Sequence, residues 1–108
     1  MAIIRGTTPT LTFHVKNEQL DLDEIAEVWV TFKTKTGLRP KEKTFDINDV
    51  AIDSEERTIT LVLSQEDTLY FSDASILIQL RTRFNNDLAY ASDIIDTSIG
   101  QILKEGVI

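Results

Sequence analysis

RTITLVLSQEDTLYFSDASILIQLRTRF, residues Arg57–Phe84, holds the reading that decides the fold. Ile59, Leu61 and Leu63 alternate with Thr58, Thr60 and Val62, and Ile76, Ile78 and Leu80 alternate with Leu77, Gln79 and Arg81. A period of two marks a strand with one buried face. Between the two runs, Ser64-Gln65-Glu66-Asp67 has the form of a helix start. Ser64 suits the N-cap, and the acids stand where the helix dipole favours them. Strand, one helical turn and strand is how a chain passes from one sheet to the other of a β-sandwich.

The same alternation recurs outward from this stretch. Ile3 and Ile4 open a short strand that Gly6 and Pro9 end. Thr10–Lys16 places Leu11, Phe13 and Val15 inward, and Thr10, Thr12, His14 and Lys16 outward. Asn17–Glu24 is a polar connection, with room for one helical turn, that contains Leu20 and Leu22. Glu27–Thr34 is a strand with Val28, Val30 and Phe32 inward, which turns Trp29, Thr31 and Lys33 outward. Lys35-Thr36-Gly37 is a turn signal, Lys41–Phe45 returns as a short strand, and Val50–Ile52 follows a turn at Asp46–Asp49.

Beyond Phe84, Asn85–Asp87 reads as a three-residue hairpin loop, because Asn and Asp tolerate the left-handed region. That loop pairs Ile78 with Ile94 and Gln79 with Asp93. A two-residue loop would instead pair Ile78 with Asp93 and turn a carboxylate to the core. The expected register places Tyr90 and Ile94 inward and Asp93 outward. Thr97–Ile108 carries five large aliphatic residues and is expected to pack as a last strand or a docked arm.

About eight short strands separated by turns imply one domain over residues 1–108. The expected fold is an all-β, immunoglobulin-like antiparallel β-sandwich with one short helical turn near residues 64–70. A chain of 108 residues buries enough surface to hold such a core unaided, and it has no cysteine. The absence of cysteine excludes disulfides and thiolate metal sites. The start lacks the features of a signal peptide, and no apolar run is long enough to span a membrane.

The net charge of −7 argues against nucleic acid as a partner. Lys and Arg recur over Lys33–Lys43, but Gly37 and Pro40 mark a solvated hairpin tip rather than a phosphate cradle. His14 is the only histidine and stands on a strand face without a nucleophile beside it. Asp46, Asn48, Asp49 and Asp53 resemble a calcium loop but fail the EF-hand pattern at Val50 and lack its glycine. Asp93 and Asp96, three apart on a strand, lie on opposite faces and make no hydrolytic pair. No catalytic residue, cofactor site or metal site is expected. The outward Trp29, with Leu77 and Val62 also outward, points instead to a covered surface, either by a partner or by a folded-over segment of the chain.

IIRGTTPTLTF (Ile3–Phe13), LSQEDTLYF (Leu63–Phe71), IQLRTR (Ile78–Arg83), LAYASDII (Leu88–Ile95) and ILKEGVI (Ile102–Ile108) form a pattern over nearly the whole length. It resembles small proteins encoded in the structural-gene regions of phages and prophages of Gram-positive bacteria. It is also similar to the immunoglobulin-like modules of phage baseplate and tail proteins. The resemblance implies a non-enzymatic virion or virion-assembly component, assembled in the host cytoplasm, that docks on other phage structural proteins or on itself. It brings no functional residues of its own. The candidate contact residues are therefore read from strand parity: Trp29, Thr31, Leu77, Gln79 and Arg81, with Val107 and Ile108 from the C-terminal segment. A carbohydrate-binding or host-recognition module is the first alternative, and a small prophage-encoded regulator or inhibitor the second.

Overall fold

The computed structural model describes residues 2–34, 41–71 and 75–108. Ala2–Ile4 (β1), Thr10–His14 (β2), Ile25–Thr34 (β3), Glu42–Phe45 (β4), Val50–Asp53 (β5) and Thr58–Val62 (β6) precede the helix Gln65–Leu69 (α1). Ser75–Phe84 (β7), Ala89–Ala91 (β8) and Ile95–Gly100 (β9) follow it. One sheet runs β1-β9-β7-β3-β4, with β8 also on β7; the other runs β2-β6-β5. The two sheets pack as a sandwich. The order β9-β7-β3-β4 facing β2-β6-β5 is the immunoglobulin wiring, in which the second, fifth and fourth strands oppose the last, sixth and third.

Every strand pair among the described residues is antiparallel except one. β1 runs parallel to β9, with Ile3 opposite Ile99. The sandwich is otherwise antiparallel, as expected.

The core follows the parity of the strands. Leu11, Ile59 and Leu61 come from the smaller sheet, and Val28, Val30, Phe32, Ile76, Ile78, Leu80 and Phe84 from the larger; all are buried. Phe32 meets Phe45 edge-on at 5.6 Å and Phe71 at 6.0 Å between ring centroids. Leu20 and Leu22 are buried beneath a 3-10 turn, Leu22–Glu24, which is the helical turn expected in that connection. Thr82 also faces the core. Its Oγ1 is buried without a hydrogen-bond partner among the described residues. Leaving such a hydroxyl unpaired costs about 1–3 kcal/mol.

α1 makes the crossover from β6 to β7. Its start is a capping box: Ser64 Oγ accepts from the Asp67 N–H at 3.1 Å, and the Ser64 N–H donates to Asp67 Oδ2 at 2.8 Å. Lys43 of β4 pairs with the same carboxylate. Lys41 donates to the Tyr70 carbonyl at 3.0 Å, and its ammonium lies 5.2 Å from the Tyr70 ring centroid. Lys41 and Lys43 thus bond to the crossover, while the tip expected about Gly37 and Pro40 lies outside the described residues. At the other end of α1, Arg5 donates to the carbonyls of Leu69 and Phe71 and pairs with Glu105 at 2.9 Å. A cation at a helix C-terminus answers the exposed carbonyls there.

Burial raises the pKa of Asp67, but hydrogen bonds from Lys43 and from the Ser64 backbone and side chain, with the charge of Lys43, outweigh it. The carboxyl titrates below its ordinary value. Its folded pKa is therefore depressed. The stability it contributes is complete above the unfolded pKa of about 4 and is lost as pH falls through the folded value. Asp67→Asn should lower stability at pH 7 by roughly 1 kcal/mol. The gap from the unsubstituted chain should close below about pH 4, as followed by urea unfolding across pH.

Candidate functional site: the outer face of the larger sheet

β3 and β7 are the two longest strands, each of ten residues, and they pair along their length. Because Val28, Val30 and Phe32 turn inward, Trp29, Thr31 and Lys33 turn out. Opposite them on β7 stand Arg81, Gln79 and Leu77. Trp29 is 45% exposed. β4 pairs beside β3, with Thr31 opposite Thr44, and the hydroxyls of those two threonines are 3.2 Å apart.

The hairpin after β7 adds one residue that sequence parity assigned to the core. The loop Asn85–Asp87 forms as expected, with Asp87 at φ 65 and the Phe84 N–H donating to the Leu88 carbonyl. β8 keeps the expected register, Thr82 opposite Tyr90. At Ser92 the ladder breaks. Ser92 Oγ accepts from the Leu80 N–H at 2.9 Å, and the Ser92 N–H donates to the Leu80 carbonyl. Beyond it β9 resumes one residue out of phase, so that Ile78 faces Ile95 rather than Ile94. The expected pairs Ile78–Ile94 and Gln79–Asp93 do not form. An extra residue in one strand swaps the faces of the residues beyond it. Ile94 becomes 62% exposed and, with Leu77, Thr31, Lys33 and Gln79, lines a shallow groove of about 130 Å³ on the outer face. Asp93, expected on the outer face, instead lines the opening between the sheets beside His14 and Tyr90.

The seven sequence-derived contact residues divide accordingly. Trp29, Thr31, Leu77, Gln79 and Arg81 share one face. Thr31 and Gln79 are committed within the sheet, Gln79 Nε2 donating to the Ser92 carbonyl at 3.0 Å. Trp29 and Arg81 are exposed, Leu77 is half-buried beside them, and exposed Ile94 joins the face. Val107 and Ile108 are not part of it. Ile108 exchanges two hydrogen bonds with the Gln65 side chain, placing the end of the chain against the start of α1.

The acidic turns hold their own backbone. Asp46 accepts from the Asn48 N–H, Asp49 from the Asp46 N–H, and Asp53 from the N–H groups of Glu55 and Glu56. Among the described residues, no group of three or more His, Cys, Asp or Glu is placed to hold a metal ion. No helix among them is long and apolar enough to cross a membrane. No protein-family model matches the chain, and no curated protein matches it in sequence.

Proposed function

We propose that the protein is a non-enzymatic structural or assembly component of a phage particle, and that it works by docking the outer face of its larger sheet on other particle proteins. The supporting observation is one sheet face that carries exposed Trp29 opposite Arg81, with exposed Ile94 beside half-buried Leu77 in the groove. Exposed indole and aliphatic groups beside an arginine have the composition of an interface core. A sugar platform is the weaker reading. Tyr70 meets Phe71 edge-on at the crossover and Tyr90 packs against the core, so neither joins Trp29 on this face.

The test is mass spectrometry of purified particles together with a Trp29→Ser variant. The chain should be present in repeated copies. The variant, folded as judged by circular dichroism, should enter particles at least tenfold less well, since interface tryptophans commonly carry about 2 kcal/mol or more. Absence of the chain from particles would sink the proposal, and normal incorporation of the variant would remove this face from it.

A further inference from the structure

β2 closes one side of the smaller sheet, and its far edge has no partner strand among the described residues. The hydrogen bonds Leu63 N–H to the Pro9 carbonyl and Val15 N–H to the Arg57 carbonyl set the phase of the β2–β6 ladder. Odd-numbered residues bond to β6, so the N–H and C=O groups of Thr10, Thr12 and His14 point away from the sheet. Such edges are usually blunted by charge, proline, bulges or shortness. β1 and β8 have three residues each, β4 carries Glu42 and Lys43, and β5 ends on Asp53. β2 has five residues, an unbroken register and no Asp, Glu, Lys or Arg.

We propose that this edge pairs with the same edge of a second copy, antiparallel about a two-fold axis through Thr12. In that register Thr12 faces its own counterpart and Thr10 faces His14, which satisfies all the outward backbone groups with about six hydrogen bonds. Electrostatics favour a second copy at this edge over contact between copies elsewhere on the surface. The chain carries a net charge of −7, yet no Asp or Glu occurs from Thr7 to Asn17. The strand itself therefore brings no carboxylate to the contact, and the acid that lines the opening beside it, Asp93, stands next to His14. Lys16 falls opposite Thr8, so like charges do not meet there either.

The inner side of the pair is apolar. Leu11 of each copy lies opposite Phe13 of the other. Phe13 is only half-buried in one copy and lines two openings between the sheets with Ile95. The two-fold axis stands perpendicular to the sheet, so these openings face each other and close. A five-residue strand pair by itself falls short of the roughly 1,200 Å² expected of a tight interface, so the dimer forms only at high protein concentration. This contact is on the opposite sheet from Trp29, and either can fail without the other.

Sedimentation equilibrium from micromolar to millimolar protein tests it. The unsubstituted chain should pass from monomer to dimer. Thr12→Pro removes an outward N–H without touching the β6 ladder and should weaken dimerisation at least tenfold. Thr12→Lys sets two ammonium groups face to face, should do the same, and stands in if the proline variant does not fold. Thr12→Cys, the only thiol in the chain, should yield a disulfide-linked dimer on mild oxidation, because directly opposed residues place their Cα atoms about 5.5 Å apart. A chain monomeric throughout, or a dimer that Thr12→Lys leaves intact and Thr12→Cys does not cross-link, overturns the proposal. A dimer abolished by Trp29→Ser but not by Thr12→Lys overturns it in favour of the outer face.

Discussion

Phe32→Ala should lower the stability of the folded chain by about 4 kcal/mol. Phe32 is fully buried, and it is held between Phe45 of β4 and Phe71 just after α1. Its backbone pairs with Ile78 on one side and Lys43 on the other. Truncation therefore opens a cavity where the central strands, the edge strand and the crossover all meet. The lining cannot collapse readily, because Phe45 is fixed by its ladder with Val30 and Phe71 by the bond from Arg5 to its carbonyl. A loss of that size corresponds to roughly 15 °C in melting temperature, which calorimetry would read directly. Phe32→Leu keeps most of the volume and should cost less than half as much. A Phe32→Ala variant within about 1 kcal/mol of the unsubstituted chain would mean that Phe32 is not the centre of this core.

The parts of this fold that were legible are those where one local rule acts alone. Val28, Val30 and Phe32 forced Trp29 outward, since no alternative register keeps three large apolar residues dry. Ser64 and Asp67 announced the crossover because a capping box is complete within four residues. The candidate face was legible to the same extent, through Trp29, Leu77 and Arg81. Ile94 was not, for a physical reason. From Tyr90 to Ile94 the apolar residues keep the parity of an unbroken strand, and nothing in ASDII marks the break. The break depends on a serine hydroxyl taking the amide hydrogen of Leu80, twelve residues away. The partners of Lys41 and Lys43 were hidden in the same way, because Tyr70 and Asp67 arrive only once the crossover is folded. The parallel pairing of β1 with β9 joins opposite ends of the sequence and leaves no trace in either segment.

Arg57 belongs to this second class and carries the other large effect. Its side chain crosses the base of the sandwich and donates to three carbonyls of the β2–β3 connection: Val15 at 3.1 Å, Asn17 at 2.6 Å and Leu20 at 2.9 Å. Its own carbonyl accepts from the Val15 N–H at 2.9 Å. Val15 and Leu20 are buried, so water does not easily replace the guanidinium at their carbonyls. Arg57→Ala should therefore cost about 3 kcal/mol, the range expected when charged hydrogen bonds are lost and buried acceptors are left without donors. The backbone separates this from a turn effect. Arg57 lies at φ 57, in the left-handed region that costs a non-glycine residue roughly 1 kcal/mol. Arg57→Gly loses the same three bonds but relieves that strain, so it should be less damaging than Arg57→Ala by about that amount. Arg57→Lys keeps the charge but lacks the planar fork that spans several acceptors, and it should recover only part of the loss. Denaturant unfolding of the three variants gives the order. If lysine restores full stability, a point charge suffices and the fork geometry is irrelevant. If alanine and glycine cost the same, the left-handed turn carries no strain. If alanine costs less than about 1 kcal/mol, the connection holds its place through Leu20 and Leu22 alone, and the arginine bonds only decorate a turn already closed by hydrophobic burial.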